Sequence, residues 1–200
     1  MGLPEGLVTL PMDEPIWEHF FSVSPLVLVG TLEEGGGHNL APKNMAMPMG
    51  WENWFGFICT PRHRTYQNAL RTKSFTVSYP HPEQVVITSL AAAPRHSPCE
   101  KPVLLGLPVF PAQVVSGVLV EGCSIYLECE LEKIIDDLGP NSLLIGRIVA
   151  AHIQSRALRG EDREDNEIIR EVPLLVYLGP GRFAVLDRSQ GFPLPAGFKR

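Results

Sequence analysis

The run Cys123-Ser-Ile-Tyr-Leu-Glu-Cys-Glu-Leu131 decides the fold class. Ser124, Tyr126, Glu128 and Glu130 alternate with Cys123, Ile125, Leu127, Cys129 and Leu131. A period of two marks a half-buried antiparallel strand, with one face on a core and the other in water. On an uninterrupted strand Cys123 and Cys129 share the apolar face. Residues 142–154 form a second long strand beside it, after a turn at Asp137-Leu-Gly-Pro-Asn141. Further out, residues 174–178 and 182–186 flank Gly179-Pro-Gly181, a hairpin signal. Between these pairs, residues 159–170 are rich in charge and poor in apolar anchors. They read as a solvated loop or frayed helix, or alternatively as a lid or dimer arm.

The first half is cut into shorter pieces by many of the chain's 19 prolines and 18 glycines. Asp13-Glu-Pro15 caps a short helix carrying Ile16, Trp17, Phe20 and Phe21. Residues 26–29 are an apolar strand and residues 33–37 a glycine-rich turn. Residues 53–60 read as an aromatic strand, residues 65–72 as a short helix, and residues 74–79 as a strand. Residues 85–93 begin β-branched and end in alanines, which suggests strand or loop turning into a short helix. Some seven or eight strands with few helices fit an antiparallel barrel.

Composition narrows the class further. The chain has 200 residues, 44% hydrophobic and 20% charged, enough for one well-filled core and one domain spanning 1–200. No apolar run approaches the roughly 18 residues of a membrane span, and the first ten residues do not read as a signal peptide, so a cytoplasmic location with no membrane partner is expected. The net charge of −5 argues against nucleic acid. The four cysteines, Cys59, Cys99, Cys123 and Cys129, form no C-x-x-C pair and read as reduced, mostly buried thiols. His96 and Cys99 alone lack the ligands of a structural zinc site, so no metal is expected.

Residues 39–79 carry the chemistry. Arg62, His63, Arg64 and Thr65 stand just before a helix, where free backbone N–H groups attract anions. They make either a phosphate seat or a solvated surface turn. Met45, Met47 and Met49 alternate, giving either a ridge that packs on a flat ring or a core-facing strand edge. Pro42 and Pro48 limit strand pairing beside them. Trp51, Trp54, Phe55 and Phe57 suit a core or a subunit interface.

These elements, in this order, resemble a known family. Pro25-Leu-Val-Leu-Val-Gly-Thr31 precedes an Asn-x-Ala-Pro run. The aromatic strand, Thr65-x-x-Asn68 and Phe75-x-Val77 follow. Leu127-Glu-Cys-Glu-Leu131 then leads to Leu144-Ile-Gly-Arg-Ile-Val149 and His152. Over residues 22–155 the chain resembles the flavin reductase-like, FMN-binding split-barrel family, flavoredoxin-type members included, with residues 156–200 as a C-terminal extension. The resemblance implies a mainly β fold: a six-stranded antiparallel split β-barrel of Greek-key type with a few short helices, working as a homodimer with FMN near the interface. It implies that Asn44, Met45, Ala46 and Met47 line the flavin ring. It implies that Thr60, Arg62, His63, Arg64, Thr65 and Asn68 hold the phosphate and ribityl chain. The chain departs from the commoner pattern in two places. Asn44 or Met45 stands where many relatives have serine or threonine, and Arg64 replaces an acidic residue before the helix.

The activity so implied moves electrons from NADH or NADPH through FMN to a flavin, ferric or protein acceptor. The alternatives are an electron-transfer flavoprotein without NAD(P)H activity and a non-catalytic FMN-binding protein. A flavin carries its own redox chemistry, so no side chain is required as acid or base. His38 and His152 are either structural or tune the site. No Gly-x-Gly-x-x-Gly fingerprint is present, which suits a nicotinamide that meets the flavin without a Rossmann domain.

Overall fold

A computed structural model describes residues 3–94, 101, 104 and 106–198. His96 and Cys99 lie outside the described residues. Twelve strands are described: β1 (Ser22–Pro25), β2 (Val27–Leu32), β3 (His38–Lys43), β4 (Ala46–Pro48), β5 (Trp54–Cys59), β6 (Ser74–Tyr79), β7 (Val109–Pro111), β8 (Val118–Val120), β9 (Ile125–Leu138), β10 (Asn141–Ile153), β11 (Leu174–Gly179) and β12 (Arg182–Leu186). The α-helices are α1 (Arg64–Thr72), α2 (Val85–Leu90) and α3 (Asp165–Glu171).

The main sheet runs β3-β2-β6-β9-β10-β5-β4, antiparallel throughout, and curls into a half-barrel. Its spine is the β9–β10 hairpin, whose register shifts three times between Asn141 and Ala150. Such irregularities bend a long strand and increase its twist, which lets the sheet curl. Gly146 lies at one of them. A Cβ there would sit 2.6 Å from the Phe75 ring, so the glycine of the Leu-Ile-Gly-Arg stretch is demanded by packing. A three-stranded sheet, β1-β11-β12, and the β7–β8 hairpin complete the strands.

Both faces of the main sheet are covered. Val27, Val29, Phe55, Phe57, Phe75, Val77, Cys129 and Leu144 fill the inside of the curl. Leu28, Leu40, Leu119, Val120, Cys123 and Tyr126 build a second core under the β7–β8 hairpin. This overturns the expectation of a half-solvated strand at Ser124, Tyr126 and Glu128, whereas Glu130 is exposed and Leu131 turned to the core as alternation has it. Tyr126, Leu127, Glu128 and Cys129 are all buried, because the hairpin covers the face that alternation assigns to water. The two cysteines also part company. The strand begins only at Ile125, so Cys123 enters the second core and Cys129 the first.

The hairpin is fastened by side chains from β6 and β9 that bond its backbone. Thr76 Oγ1 donates to the Val118 carbonyl at 2.6 Å, Ser74 Oγ to the Ser116 carbonyl at 3.4 Å, and Val120 N–H to Ser78 Oγ at 3.1 Å. Glu128 is fully buried. Its carboxylate accepts N–H bonds from Gln113, Val114 and Val115 at 2.9, 2.6 and 3.0 Å, and pairs with His152 Nε2 at 2.9 Å. Burial alone pushes this carboxyl up. The bonds from Gln113, His152, Val115 and Val114 outweigh it and hold the carboxyl down at about 2. His152 is therefore part of a fastening.

Other local readings shift in smaller ways. Residues 85–90 are helical outright, despite their β-branched start. Proline 15 precedes only a three-residue 3-10 turn, Ile16–Glu18, with no side-chain cap. Pro42 and Pro48 do pair, opposite Leu28 and Phe55, but on the two edge strands, where a missing N–H is tolerated. Within 159–170, Arg159 pairs with Asp165, and Arg163 with Glu171, so the charged stretch is knit across α3.

Candidate functional site

The bend between β5 and α1 gathers most of the sequence-selected residues. His63 N–H closes the bend on the Thr60 carbonyl at 2.9 Å, and Gln67 N–H returns to His63 O at 3.2 Å. His63 occupies the cap position without a side-chain capping bond. The N–H groups of Arg64, Thr65 and Tyr66 therefore have no partner inside the helix, as at any helix start. Arg62 and His63 are exposed and Arg64 is half-buried. Neither arginine makes an ion pair or side-chain hydrogen bond with any described residue. Desolvation first, then Lys43 and Arg62, hold His63 below the usual histidine range. Positive charge thus accumulates at a helix start where no described carboxylate pairs with either arginine; Asp136 is engaged by the Tyr66 hydroxyl at 3.0 Å.

Two of the selected residues point the other way. Thr65 and Asn68 are both buried on the inner face of α1. Asn39 Nδ2 donates to Thr65 Oγ1 at 3.0 Å, and Asn68 Nδ2 donates to Thr31 Oγ1 at 3.3 Å. Their side chains staple the helix to β2 and β3. Thr60 Oγ1 donates to Asn141 Oδ1 at 3.1 Å and ties the bend to the β9–β10 turn.

The methionine run lies beside this bend. Met45 O accepts the Ile58 N–H at 2.8 Å, and Ala46 and Met47 pair with Phe57 and Gly56. Ala46 faces the core, whereas Met45 and Met47 are 56% and 53% exposed. Met49 is partly buried and packs over Gly56. The run is therefore neither wholly core nor wholly ridge. Phe55 and Phe57 are core residues, and Trp51 stands out at 79% exposure. Asn44 is half-buried and lines a cavity of about 370 Å³ between α2 and the β11–β12 turn.

Sequence reasoning missed Lys43 and Asn141. Lys43 Nζ reaches Cys59 Sγ at 3.4 Å, which adds a third cation to the bend. Neither residue lies in a motif, and only the pairing of β5 with β4 and β10 brings them in. The signal that existed was Lys43 itself, a cation immediately before the ring-lining run.

A curled antiparallel half-barrel sheet with a few short helices defines the split-barrel class of fold. The family model described as "Flavin reductase like domain" matches residues 21–183, and the chain belongs to that family of oxidoreductases. Among solved structures it is similar to nitrilotriacetate monooxygenase component B from Bacillus cereus, at 21% identity and TM-score 0.78, covering 96% of this chain and 100% of that one. It is also similar to flavoredoxin from Methanosarcina acetivorans, at 19% identity and TM-score 0.76, covering 96% and 97%. An uncharacterized protein of Methanothermobacter thermautotrophicus is 26% identical over 146 residues, 69% of this chain and 67% of the relative. No helix among the described residues is long and apolar enough to cross a membrane.

Proposed function

We propose that the protein binds FMN and works as a flavin reductase-type oxidoreductase. The observation that carries this reading is the positive charge of Arg62 and Arg64, paired with no described residue, beside Lys43 and the uncapped start of α1. Helix N–H groups and guanidinium forks together suit a phosphate monoester, the group that distinguishes FMN from riboflavin. The donor set fits: the N–H groups of Arg64, Thr65 and Tyr66 have no partner inside the helix, while the Thr65 and Asn68 side chains hold the helix in place. In the run from Asn44 to Met47, the exposed Met45 and Met47 offer polarisable side chains to a flat ring. Its half-exposed methionines, with Trp51 near them, suit a ring packed at the contact between two copies of the chain.

When bound, FMN supplies the electron chemistry between NADH or NADPH and a flavin, ferric or protein acceptor. The chain's own residues bind, orient and shield; no side chain need act as acid or base. The test is anaerobic spectroscopy of the purified protein loaded with FMN. A yellow band that bleaches promptly on adding NADH or NADPH supports the reading. Bleaching by dithionite alone assigns the protein to electron transfer without nicotinamide. A protein whose spectrum never changes with added FMN overturns the proposal.

A further inference from the structure

Exposed apolar side chains gather at the two ends of the chain. Among the described residues, those of 3–23 and 174–198 include fifteen large apolar side chains that are 41–84% exposed, with Trp17, Phe20, Phe21, Phe183, Phe192 and Phe198 among them. At ~150–250 Å² for a whole aromatic side chain, this amounts to apolar surface on the order of 1,500 Å². A lone soluble chain seldom shows a patch above about 300–600 Å². Both ends continue the same small sheet: the first enters β1 at one edge, and the second leaves β12 at the other. In β12 Phe183, Val185 and Leu186 are exposed, and no proline or charge within 183–186 guards that edge.

The leading segment does not lie down on its own chain. Every described residue from 3 to 21 except Leu10 and Ile16 is exposed. Its backbone bonds, Leu7 N–H to Pro4 O at 3.4 Å and His19 N–H to Ile16 O at 3.1 Å, close on the segment itself. Beyond Ser189, which bonds Asn166 of α3, the tail does the same. The two ends are also opposite in charge. Residues 3–21 carry Glu5, Asp13, Glu14 and Glu18 and no lysine or arginine, whereas residues 182–200 carry Arg182, Arg188, Lys199 and Arg200 against Asp187 alone. Asp13, Glu18, Arg182 and Arg188 make no ion pair or side-chain hydrogen bond with any described residue. Opposite charges that go unused within one chain are complementary between two.

We propose that the two ends are exchanged between two copies of this chain. The acidic leading arm of each copy lies on the small sheet and basic tail of its partner, so the same contact occurs twice about a two-fold axis. Apolar side chains fill the centre, and the charges decide that arm meets tail. Covering about 1,500 Å² on each copy gives about 3,000 Å² in all, within the roughly 2,000–5,000 Å² of permanent dimers. β1 lies against β4, so the contact is continuous with the exposed Met45 and Met47. The proposal goes beyond the flavin reading and does not depend on it.

The test is analytical sedimentation of the purified full-length protein, with and without FMN. A dimer is expected in both cases. Trp17→Ala should weaken it by about 10-fold or more, the effect of losing a buried aromatic anchor. Asp13→Lys combined with Glu18→Lys should weaken it by about 10-fold, because like charges then face each other in both contacts. Arg182→Glu combined with Arg188→Glu should do the same. Mixing these two charge-reversed proteins should restore a dimer containing one copy of each, since acid then meets base in both contacts. Pairing of arm and tail within one chain would give no such rescue. Four outcomes overturn the proposal: a protein that stays monomeric, a dimer indifferent to all these substitutions, reversed proteins that fail to combine, or a dimer that forms only with FMN. A dimer with the expected responses in a protein that ignores FMN would sink the flavin reading and leave this one standing.

Discussion

Two regions of the molecule handle polar groups in opposite ways. Under the β7–β8 hairpin, Glu128 collects three backbone N–H groups and a histidine, and Ser74, Thr76 and Ser78 each bond the hairpin's backbone. At the start of α1, two arginines make no bond to any described side chain, and the helix N–H groups have no capping side chain. The first region is buried and saturated; the second is open and unsaturated. Satisfied buried polar groups specify a structure, whereas concentrated, unanswered donors at a surface suit a ligand. Charge alone does not separate the two, since Glu128 and Arg62 are equally charged. What separates them is the partner count.

Substitutions should split along the same line. The largest expected effect is on ligand affinity. Replacing Arg62 and Arg64 together by alanine should weaken FMN by about 10²- to 10⁴-fold, from two charged bonds at ~1.5–3 kcal/mol each. Riboflavin affinity should barely change, and stability should stay within about 0.5 kcal/mol. Equal losses for both flavins, measured by fluorescence quenching, would break the comparison.

Glu128→Ala should do the reverse. It leaves buried N–H groups unpaired, and a loss of about 3–5 kcal/mol is expected by urea denaturation. A loss below about 1 kcal/mol would show that the hairpin does not depend on this carboxylate.

Acid should have a related effect. A carboxyl held at about 2 in the fold and near 4.5 when unfolded contributes stability that is complete above about pH 4.5 and fades as the pH falls towards 2. That contribution is on the order of 3 kcal/mol. The Glu128→Gln protein should lose less stability between pH 5 and pH 2 than the parent; parallel curves would contradict the assignment.

Gly146→Ala is the smallest perturbation. Its new methyl meets the Phe75 ring, and overpacking of this kind costs about 1–3 kcal/mol. FMN affinity should follow stability here, with no independent loss.

Sequence pattern reached much of this unaided. Residues 74–79 were legible as a strand and 65–72 as a helix because each is bounded by its own breakers and periodicity. The burial of Glu128 was not legible. Alternation reports that a strand has two faces, but not that the short hairpin just before it in the chain folds back over the second face. Helix α2 defied its β-branched start because tertiary packing overrides so weak a preference. In the site, the bend was visible as a cluster of cations. Whether each residue points outward depends on the staple: Thr65 and Asn68 sit one turn apart and face the sheet, and only Asn39 and Thr31 across the gap reveal it. Lys43 was hidden for the same reason, since its approach to Cys59 is set by strand register.

The β7–β8 hairpin has one more consequence. Every bond just described that fastens it ends on main-chain atoms between positions 113 and 120, never on a side chain of the hairpin itself. The anchorage is therefore blind to which amino acids the loop carries. Residues 113–116 are free to drift as long as no proline removes a required amide, whereas position 117 must stay as small as glycine beside Thr76, and Leu119 and Val120 are held by the core. Its rim is a place where new surfaces can be tried at little risk to folding.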